Sequence, residues 1–355
     1  RGPCTVKGDL PMRRTVSLVL ARTAAALALL TPLAQTSNAA SLTDIGLLPG
    51  YAEAAAAGIN NHNQVVGYAF NQGSSEHAFL WEPSSGMHDL GSLPGYGMST
   101  TRSINDAGEV AGTAWTFGQE NYKGWFWSPT LGMARLDPVP GYSASNAYNI
   151  NNNRQVVGMS STSGGGTTRA TLWDANGIHD LGALPGYSSS VALDINNQGE
   201  IVGYSYTPGG GSWHATLWDA NGPQALGELA PYSSSRAWAI NDDGAVVGSA
   251  FSWAGNETYR PCLWMPGEEA ADLGSLSGFS SSIANDISNN YQVVGTSWGI
   301  GRDSFHATFW ESGSTIDLGT LTGYSSAEAM AINDAGRVVG YAYSPGGTSR
   351  RAFIR

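Results

Sequence analysis

A hydrophobic pair followed by glycine recurs seven times along this chain. The copies are 45 to 47 residues apart, and they begin at Val65, Val110, Val156, Ile201, Val246, Val293 and Val338. A fixed period of this length is typical of repeat architectures, in which each copy forms one unit that packs against the next. We therefore expect the residues that recur in every copy to be structural, and those that differ between copies to carry function.

The copy around Ile201 shows how each unit is built. Four short β-compatible segments, at 191–195, 200–206, 214–218 and 224–227, are separated by turns rich in Asn, Gly and Pro. Short strands between such turn signals predict an antiparallel sheet, and no window of the repeat region sustains the period of a helix. Seven such sheets predict an all-β fold, a seven-bladed β-propeller with four-stranded antiparallel blades.

The two ends of the repeat region predict how the ring closes. Residues 42–46 read as a fourth strand without the preceding three, and residues 351–355 read as a third strand without a fourth. An open array would leave both sheet edges unpaired, which favours aggregation. We therefore expect residues 41–355 to form one seven-repeat domain in which the N-terminal strand completes the last blade.

Residues 1–40 do not share the repeat. Met12 is followed by two arginines, residues 16–33 are largely apolar, and residues 37–40 are small. This layout is typical of a secretory signal peptide, with cleavage after Ala39 or Ala40 and with residues 1–11 as an upstream extension. A membrane anchor is the alternative, but Arg22 shortens the apolar run. The sequence thus predicts a secreted bacterial protein, extracellular or periplasmic, with no membrane span after cleavage.

Charge and cysteine content narrow the class of partner. Residues 1–40 hold five basic residues and one acidic residue, which leaves 12 basic and 27 acidic residues, a net charge of −15, in the repeat region. A surface of this sign repels a phosphate backbone, so nucleic acid is not expected as a partner. Cys4 and Cys262 are the only cysteines and lie on opposite sides of the predicted cleavage, so no internal disulfide is expected.

The third strands carry a motif that resembles a known family. Three of them begin with His-Ala and end with Trp, at 77–81, 214–218 and 306–310, and they occur together with Ile-Asn turns and Asp-Leu-Gly strands. Over residues 42–355 the chain resembles the HAF family of extracellular repeat proteins. The resemblance implies export and a repeat β-fold, and it brings no reaction or ligand with it.

The first residues of the third strands form a basic ladder. Its members are His77, Lys123, Arg169, His214, Arg260, His306 and Arg351. Equivalent positions in a ring are too far apart to share one metal ion, and Lys and Arg are not ordinary zinc ligands. We expect each member to pair with an acidic residue of the neighbouring fourth strand. The Asn-Asp turns lack the ligand pattern of an EF-hand, and no phosphate or dinucleotide motif occurs, so no metal and no cofactor are predicted.

The residues that break the repeat are the candidates for a binding site. One set is aromatic and lies in or beside the loops between second and third strands: Trp115, Trp125, Trp213, Trp253 and Trp298. The other set is charged and lies on the inner strands around the predicted axis: Arg102, Asp194, Arg236 and Asp286. Exposed aromatic rings among Ser, Asn and Gly suit sugars or a protein surface. Alternatively, the aromatic rings fold inward and the charges pair across a wet channel.

These observations favour a binding or scaffold protein that recognises a carbohydrate or an extracellular protein on its variable-loop face. The alternative is an extracellular hydrolase or lyase that acts on a polymer through channel or top-face residues, since propellers host both kinds of function. No complete catalytic constellation is visible in the sequence, so no catalytic residues are predicted. The oligomeric state is not predicted either.

Overall fold

The computed structural model describes residues 41–72, 75–118, 122–209, 211–252, 258–299, 301–302 and 304–355. These residues form seven four-stranded antiparallel sheets arranged as the blades of a β-propeller. The predicted fold class is therefore confirmed. The predicted signal peptide, residues 1–40, lies outside the described residues. The described part of the chain has no helix with the length and apolar character needed to cross a membrane.

The strands follow one another in chain order, and the innermost strand of each blade comes first. Blade 1 contains β2 (Glu53–Ile59), β3 (Val65–Asn71), β4 (Ser75–Glu82) and β5 (Gly86–Gly91). Blade 2 contains β6 (Met98–Ile104), β7 (Val110–Trp115), β8 (Lys123–Ser128) and β9 (Gly132–Leu136). Blade 3 contains β10 (Ala144–Ile150), β11 (Val156–Ser161), β12 (Thr168–Asp174) and β13 (Gly177–Asp180), with a 3-10 helix at Ser163–Gly165. Blade 4 contains β14 (Ser189–Ile195), β15 (Ile201–Tyr206), β16 (Trp213–Asp219) and β17 (Gly222–Ala225). Blade 5 contains β18 (Ser234–Ile240), β19 (Val246–Phe251), β20 (Tyr259–Trp264) and β21 (Ala271–Asp272). Blade 6 contains β22 (Ser281–Ile287), β23 (Val293–Trp298), β24 (Phe305–Glu311) and β25 (Ser314–Asp317). Blade 7 contains β26 (Ser326–Ile332), β27 (Val338–Tyr343), β28 (Arg350–Ile354) and, from the other end of the chain, β1 (Thr43–Asp44).

Blade 7 closes the ring as the sequence predicts. Thr43 and Asp44 of β1 pair antiparallel with Ile354 and Phe353 of β28. Leu42 is buried in the same apolar cluster as Phe353. The N-terminal strand thus covers the edge that β28 would otherwise expose.

The recurrent glycine of each second strand faces a bulge in the innermost strand. In blade 3 the register of β10 against β11 shifts between Ala147 and Asn149. A Cβ atom on Gly158 would lie 1.9 Å from the backbone oxygen of Asn146. Only glycine allows two backbones to approach this closely, which explains why the hydrophobic pair is always followed by glycine.

The basic ladder pairs blade by blade with acidic residues, as predicted, in six blades. The pairs, with their shortest charged N–O distances, are His77–Asp89 at 2.9 Å, Arg169–Asp180 at 3.6 Å, His214–Glu228 at 2.6 Å, Arg260–Asp272 at 3.5 Å, His306–Asp317 at 2.7 Å and Arg351–Asp44 at 3.6 Å. In blade 2, Lys123 instead donates to the backbone oxygen of Ser143. The ladder therefore belongs to the scaffold.

Some tryptophans at the ends of third strands hydrogen-bond to the preceding blade. The indole of Trp173 donates to the backbone oxygen of Asp137 in the preceding blade at 2.7 Å. Trp310 does the same to Gly274 at 2.9 Å. Both rings are almost fully buried, so each indole contributes apolar area and one specific bond across the blade interface.

Candidate functional site

The bulge in each innermost strand aims one side chain at the axis of the ring. The bulged residues lie two positions before the recurrent isoleucine, and they are Ala57, Arg102, Tyr148, Leu193, Trp238, Asn285 and Met330. All seven line one cavity of about 260 Å³, the axial cavity. Bulges commonly redirect side chains beside functional sites. Here they place the most variable residues of the repeat at the centre of the molecule.

The turns between first and second strands surround one end of the axis, where they line a cavity of about 170 Å³. In every blade a backbone N–H of this turn donates to the Oδ1 atom of the equivalent residue in the next blade, at 2.8 to 3.0 Å. The residues of this ring, in order, are Asn61, Asp106, Asn152, Asn197, Asp242, Asn289 and Asp334. The Asn-Asp turns are thus bound to one another. Among the described residues, no group of three or more His, Cys, Asp or Glu side chains is arranged to hold a metal ion.

Asp194 and Asp286 line both this cavity and the axial cavity. Each carboxylate accepts the backbone N–H of the isoleucine that follows it and that of the equivalent isoleucine in the next blade, at 2.7 to 2.8 Å. Burial raises the pKa of Asp194 to about 6. Burial, together with the charge of Asp194, raises the pKa of Asp286 to about 8. Both predicted ligand-binding carboxylates therefore line the axial cavity while tying neighbouring blades together.

Arg102 also lines the axial cavity, and its guanidinium is solvent-exposed. Its Cζ atom lies 5.7 Å from the centroid of the Tyr148 ring, on the next blade. The same two residues line a second cavity of about 350 Å³ between blades 2 and 3, whose wall includes Trp115 and Tyr122. Arg102 thus lies where the axial cavity meets an opening that runs outward.

The opening continues towards the rim of blade 3. A third cavity, of about 320 Å³, shares Tyr122 and Asn146 with the second and extends past Thr162 and Thr168. We call the two joined cavities the blade 2/3 groove. The rings of Trp115 and Tyr122 lie 6.3 Å apart at an angle of 43° in its wall, and the groove is otherwise lined largely by hydroxyl and amide side chains. The structure therefore brings together Arg102 and Trp115 from the predicted set.

Trp298, another residue of the predicted set, is packed into a belt of aromatic rings on blades 5 to 7. A chain of contacts joins Phe251, Tyr259, Trp298, Phe305 and Tyr343 across blades 5 to 7, with centroid separations of 5.2, 5.7, 6.4 and 6.0 Å. Trp298 is only 6% exposed within this aromatic belt. It therefore offers little surface to a ligand.

Trp213 and Arg236 form a stacked unit between blades 4 and 5. The indole stacks on Tyr204 and Tyr206 at 5.0 and 4.9 Å, and the guanidinium of Arg236 lies 3.8 Å from the indole centroid. Burial lowers the pKa of Arg236. Much of the Trp213 ring is consequently covered from within the protein.

Trp125 corrects the expectation of an exposed aromatic surface. It is fully buried and packs against Gly112 of the second strand. In other blades this third-strand position holds Phe79, Thr171, Thr216, Cys262, Thr308 and Phe353, which are also buried. Trp125 is therefore a core residue and cannot meet a ligand on the loop face. Trp253, the remaining aromatic prediction, lies outside the described residues.

Two residues that line the groove, Asn146 and Tyr148, were not among the site residues predicted from the sequence. Asn146 and Tyr148 lie on β10, and only the bulge sends Tyr148 to the axis while Asn146 faces the groove. The spacing from the recurrent isoleucine could have identified the bulged position, because strict alternation fails there in every copy.

Comparison with solved structures supports the fold. Virginiamycin B lyase from Staphylococcus aureus is similar with a TM-score of 0.55 and 11% identity, over 88% of this chain and 98% of that one. A streptogramin B lyase gives 0.54 and 11%, over 88% and 97%. The β-propeller domain of the Trilobed protease from Pyrococcus furiosus gives 0.54 and 10%, over 85% and 95%. Identities this low show a shared fold alone. No family model matches the chain, and no curated protein matches it, so the HAF resemblance stays a prediction.

Proposed function

We propose that this protein is an exported carbohydrate-binding β-propeller and that its ligand lies in the blade 2/3 groove. The observation that carries the proposal is the junction of three cavities through shared residues, Arg102 and Tyr148 on one side and Tyr122 and Asn146 on the other. They form a path from the axis to the rim that suits an extended ligand better than a single compact one.

The chemistry of the groove supports a sugar as the ligand. Aromatic rings such as Trp115 and Tyr122 offer flat apolar faces to the C–H side of a pyranose ring. The amide of Asn146 and the hydroxyl of Thr100 line the same groove, and such groups can hydrogen-bond sugar hydroxyls. Each cavity has the size of an ordinary small-molecule site.

The test is a glycan-binding screen with the domain 41–355, followed by calorimetry on the tightest ligand. The Trp115→Ala/Tyr122→Ala double variant should bind at least about tenfold more weakly, since each lost stacking contact contributes on the order of 1 kcal/mol. Tyr291→Ala is the matched control, because Tyr291 is 43% exposed but lies in the turn between the first and second strands of blade 6, outside the groove. Equal loss in both variants, or binding of a protein partner but of no glycan, would refute the proposal.

One observation favours the enzyme alternative. Glu328 lines the axial cavity and accepts a hydrogen bond from the Tyr343 hydroxyl at 2.7 Å, and burial raises the pKa of its carboxyl. A buried carboxyl with a raised pKa is suited to general acid catalysis. Incubating the bound oligosaccharide with the protein and analysing the products by mass spectrometry separates the two functions. Cleavage that Glu328→Gln abolishes would replace the binding proposal by a hydrolase or lyase.

A further inference from the structure

We propose that the carbohydrate bound in the blade 2/3 groove carries a carboxylate, as a uronic acid does, and that Arg102 binds this group at the axial end of the groove. The inference rests on the proposed function and specifies the class of sugar. It starts from the position of Arg102, which is the only basic residue among those lining the axial cavity and the second cavity.

Within the described part of the protein, the guanidinium of Arg102 faces the Tyr148 ring but has no carboxylate and no hydrogen-bond partner. No carboxylate there lies within 4.0 Å of its guanidinium, and its side chain makes no hydrogen bond to the described residues. Other arginines differ: Arg135 contacts Asp137 at 2.6 Å, and Arg154 contacts Glu109. Arg102 therefore presents five N–H donors in a planar fork to whatever enters the cavity.

The carboxylates that share the axial cavity are already engaged. Asp194 and Asp286 each accept two backbone N–H groups, and Glu328 accepts the Tyr343 hydroxyl. The pKa of Asp286 is raised to about 8 by burial and by the charge of Asp194, so that Asp286 is largely protonated at neutral pH. The negative charge near Arg102 is therefore smaller than it would be if all three acidic residues of the axial cavity were ionised. An incoming anion consequently meets less repulsion.

The geometry favours a carboxylate over a bulkier or more densely charged anion. A guanidinium binds a carboxylate through two parallel hydrogen bonds. Tyr148 supports the guanidinium from one side and leaves its edge to the cavity. The repeat region carries a net charge of −15, which disfavours a polyanion at long range. A single carboxylate near Arg102 is less affected, because salt screens exposed charges beyond about 8 Å.

The experiment uses the domain 41–355 and isothermal titration calorimetry. The probes are di- to tetrasaccharides of galacturonic, glucuronic and mannuronic acid, each as the free acid and as the methyl ester, which keeps the shape but removes the charge. For at least one sugar the acid should bind at least about tenfold more tightly than the ester, and added salt should reduce this preference. Arg102→Gln should abolish the preference for the acid over the ester.

Two further variants make the result specific. Arg102→Lys keeps the charge but not the fork and should retain only part of the preference. Arg135→Gln, on the outer strand of the same blade and half exposed, should leave the preference intact. Sodium acetate should compete only weakly, because it lacks the sugar that fills the groove.

The outcomes distinguish the two proposals. If acid and ester bind equally and the Trp115→Ala/Tyr122→Ala variant weakens both, the function stands and the carboxylate inference fails. An acid preference that survives in Arg102→Gln, or displacement by acetate at the concentrations that suffice for the oligosaccharide, also overturns the inference. If no glycan of either kind binds, both proposals are wrong.

Discussion

The side-chain amide of Asn196 donates to the backbone oxygen of Asn241 in the next blade, at 3.1 Å. Its Oδ1 atom accepts the backbone N–H of Gln198 and of Glu200, so one buried asparagine shapes its own turn and also binds the turn beside it. The equivalent bonds run from Asn60 to Asn105, Asn105 to Asn151, Asn151 to Asn196, Asn241 to Ser288 and Asn333 to Asn60. Cohesion of the blades near the axis therefore comes from polar bonds as well as from apolar packing.

Blade 6 has a serine, Ser288, at the position that Asn196 holds in blade 4. Exchanging the two residue types at these positions tests the role of the asparagine. Ser288 accepts its two turn N–H groups at the longer distance of 3.3 Å, and a serine hydroxyl is too short to reach the next blade. Asn196→Ser should lower the free energy of unfolding by about 1–3 kcal/mol, measured by urea denaturation. Ser288→Asn should raise it by about 1 kcal/mol, because it adds the missing bond. If Asn196→Ser left the free energy of unfolding unchanged, that result would contradict the structural role of these buried asparagines.

Closure through β1 predicts a large effect of removing residues 41–47. The deletion leaves the edge of β28 unpaired and removes Leu42 and Ile45, both at least 91% buried. Burial of two such side chains contributes about 3–6 kcal/mol. The truncated chain should therefore melt many degrees below the domain 41–355 and aggregate more readily. Equal melting temperatures in differential scanning calorimetry would mean that β1 does not hold the ring together.

The fold could be predicted because the sequence features that specify a blade recur in seven copies. Positions that recur, such as Gly158 and its equivalents, report local backbone geometry, and the unmatched strands at the two ends indicate closure directly. The site could be predicted only in part. The blade 2/3 groove is built from residues of β6, β7, β10, β11 and β12 and from the loops before β8 and β12, and which of their side chains meet depends on the angle between blades and on the bulges. The angle between blades has no local signal in the sequence, and the bulges are marked only by their spacing from the recurrent isoleucine.

The burial of the aromatic residues could also be predicted from the sequence only in part. Trp125 occupies a position that is buried in every blade, so comparison of the copies could have assigned it to the core. Trp298 could not be assigned in this way, because its burial depends on Tyr259 and Phe305, which reach it from two different blades.

Truncation of Trp125 should mainly lower stability, whereas truncation of Trp115 should mainly weaken glycan binding. Trp125→Ala leaves a large cavity beside Gly112 and should cost about 3–5 kcal/mol of stability. Trp125→Phe should recover most of this loss, because Phe79 and Phe353 fill the equivalent site beside Gly67 and Gly340. Trp115→Ala, in the groove wall, should change stability by less than about 1 kcal/mol and instead weaken glycan binding. Chemical denaturation and calorimetry measure the two effects, and a stable Trp125→Ala protein would disprove the core assignment.

The buried carboxyl of Asp286 predicts how stability depends on pH. Its pKa is about 8 in the folded protein and close to 3.9 in an unfolded chain, so the folded state holds the proton more tightly. The stabilisation from this group is fully present below about pH 4 and is lost as the pH rises through 8. Asp286→Asn removes the titration, and Asn149 shows that asparagine fits the equivalent position, where its Oδ1 accepts the N–H of Ile150 at 2.6 Å. Relative to the unmodified domain, the variant should therefore gain about 3 kcal/mol between pH 6 and pH 9.

The control for this measurement is Asp219→Asn. Asp219 lies in an exposed turn where the backbone N–H of Asn221 lowers the pKa of its carboxyl, so it stays ionised throughout this range. Its replacement should shift the unfolding free energy by the same amount at pH 6, 7.5 and 9. Urea denaturation at these three values tests the assignment. Parallel curves for Asp286→Asn and the unmodified domain would mean that Asp286 is already ionised at pH 6, and the two N–H groups of Ile287 and Ile332 would then suffice to hold a buried charge.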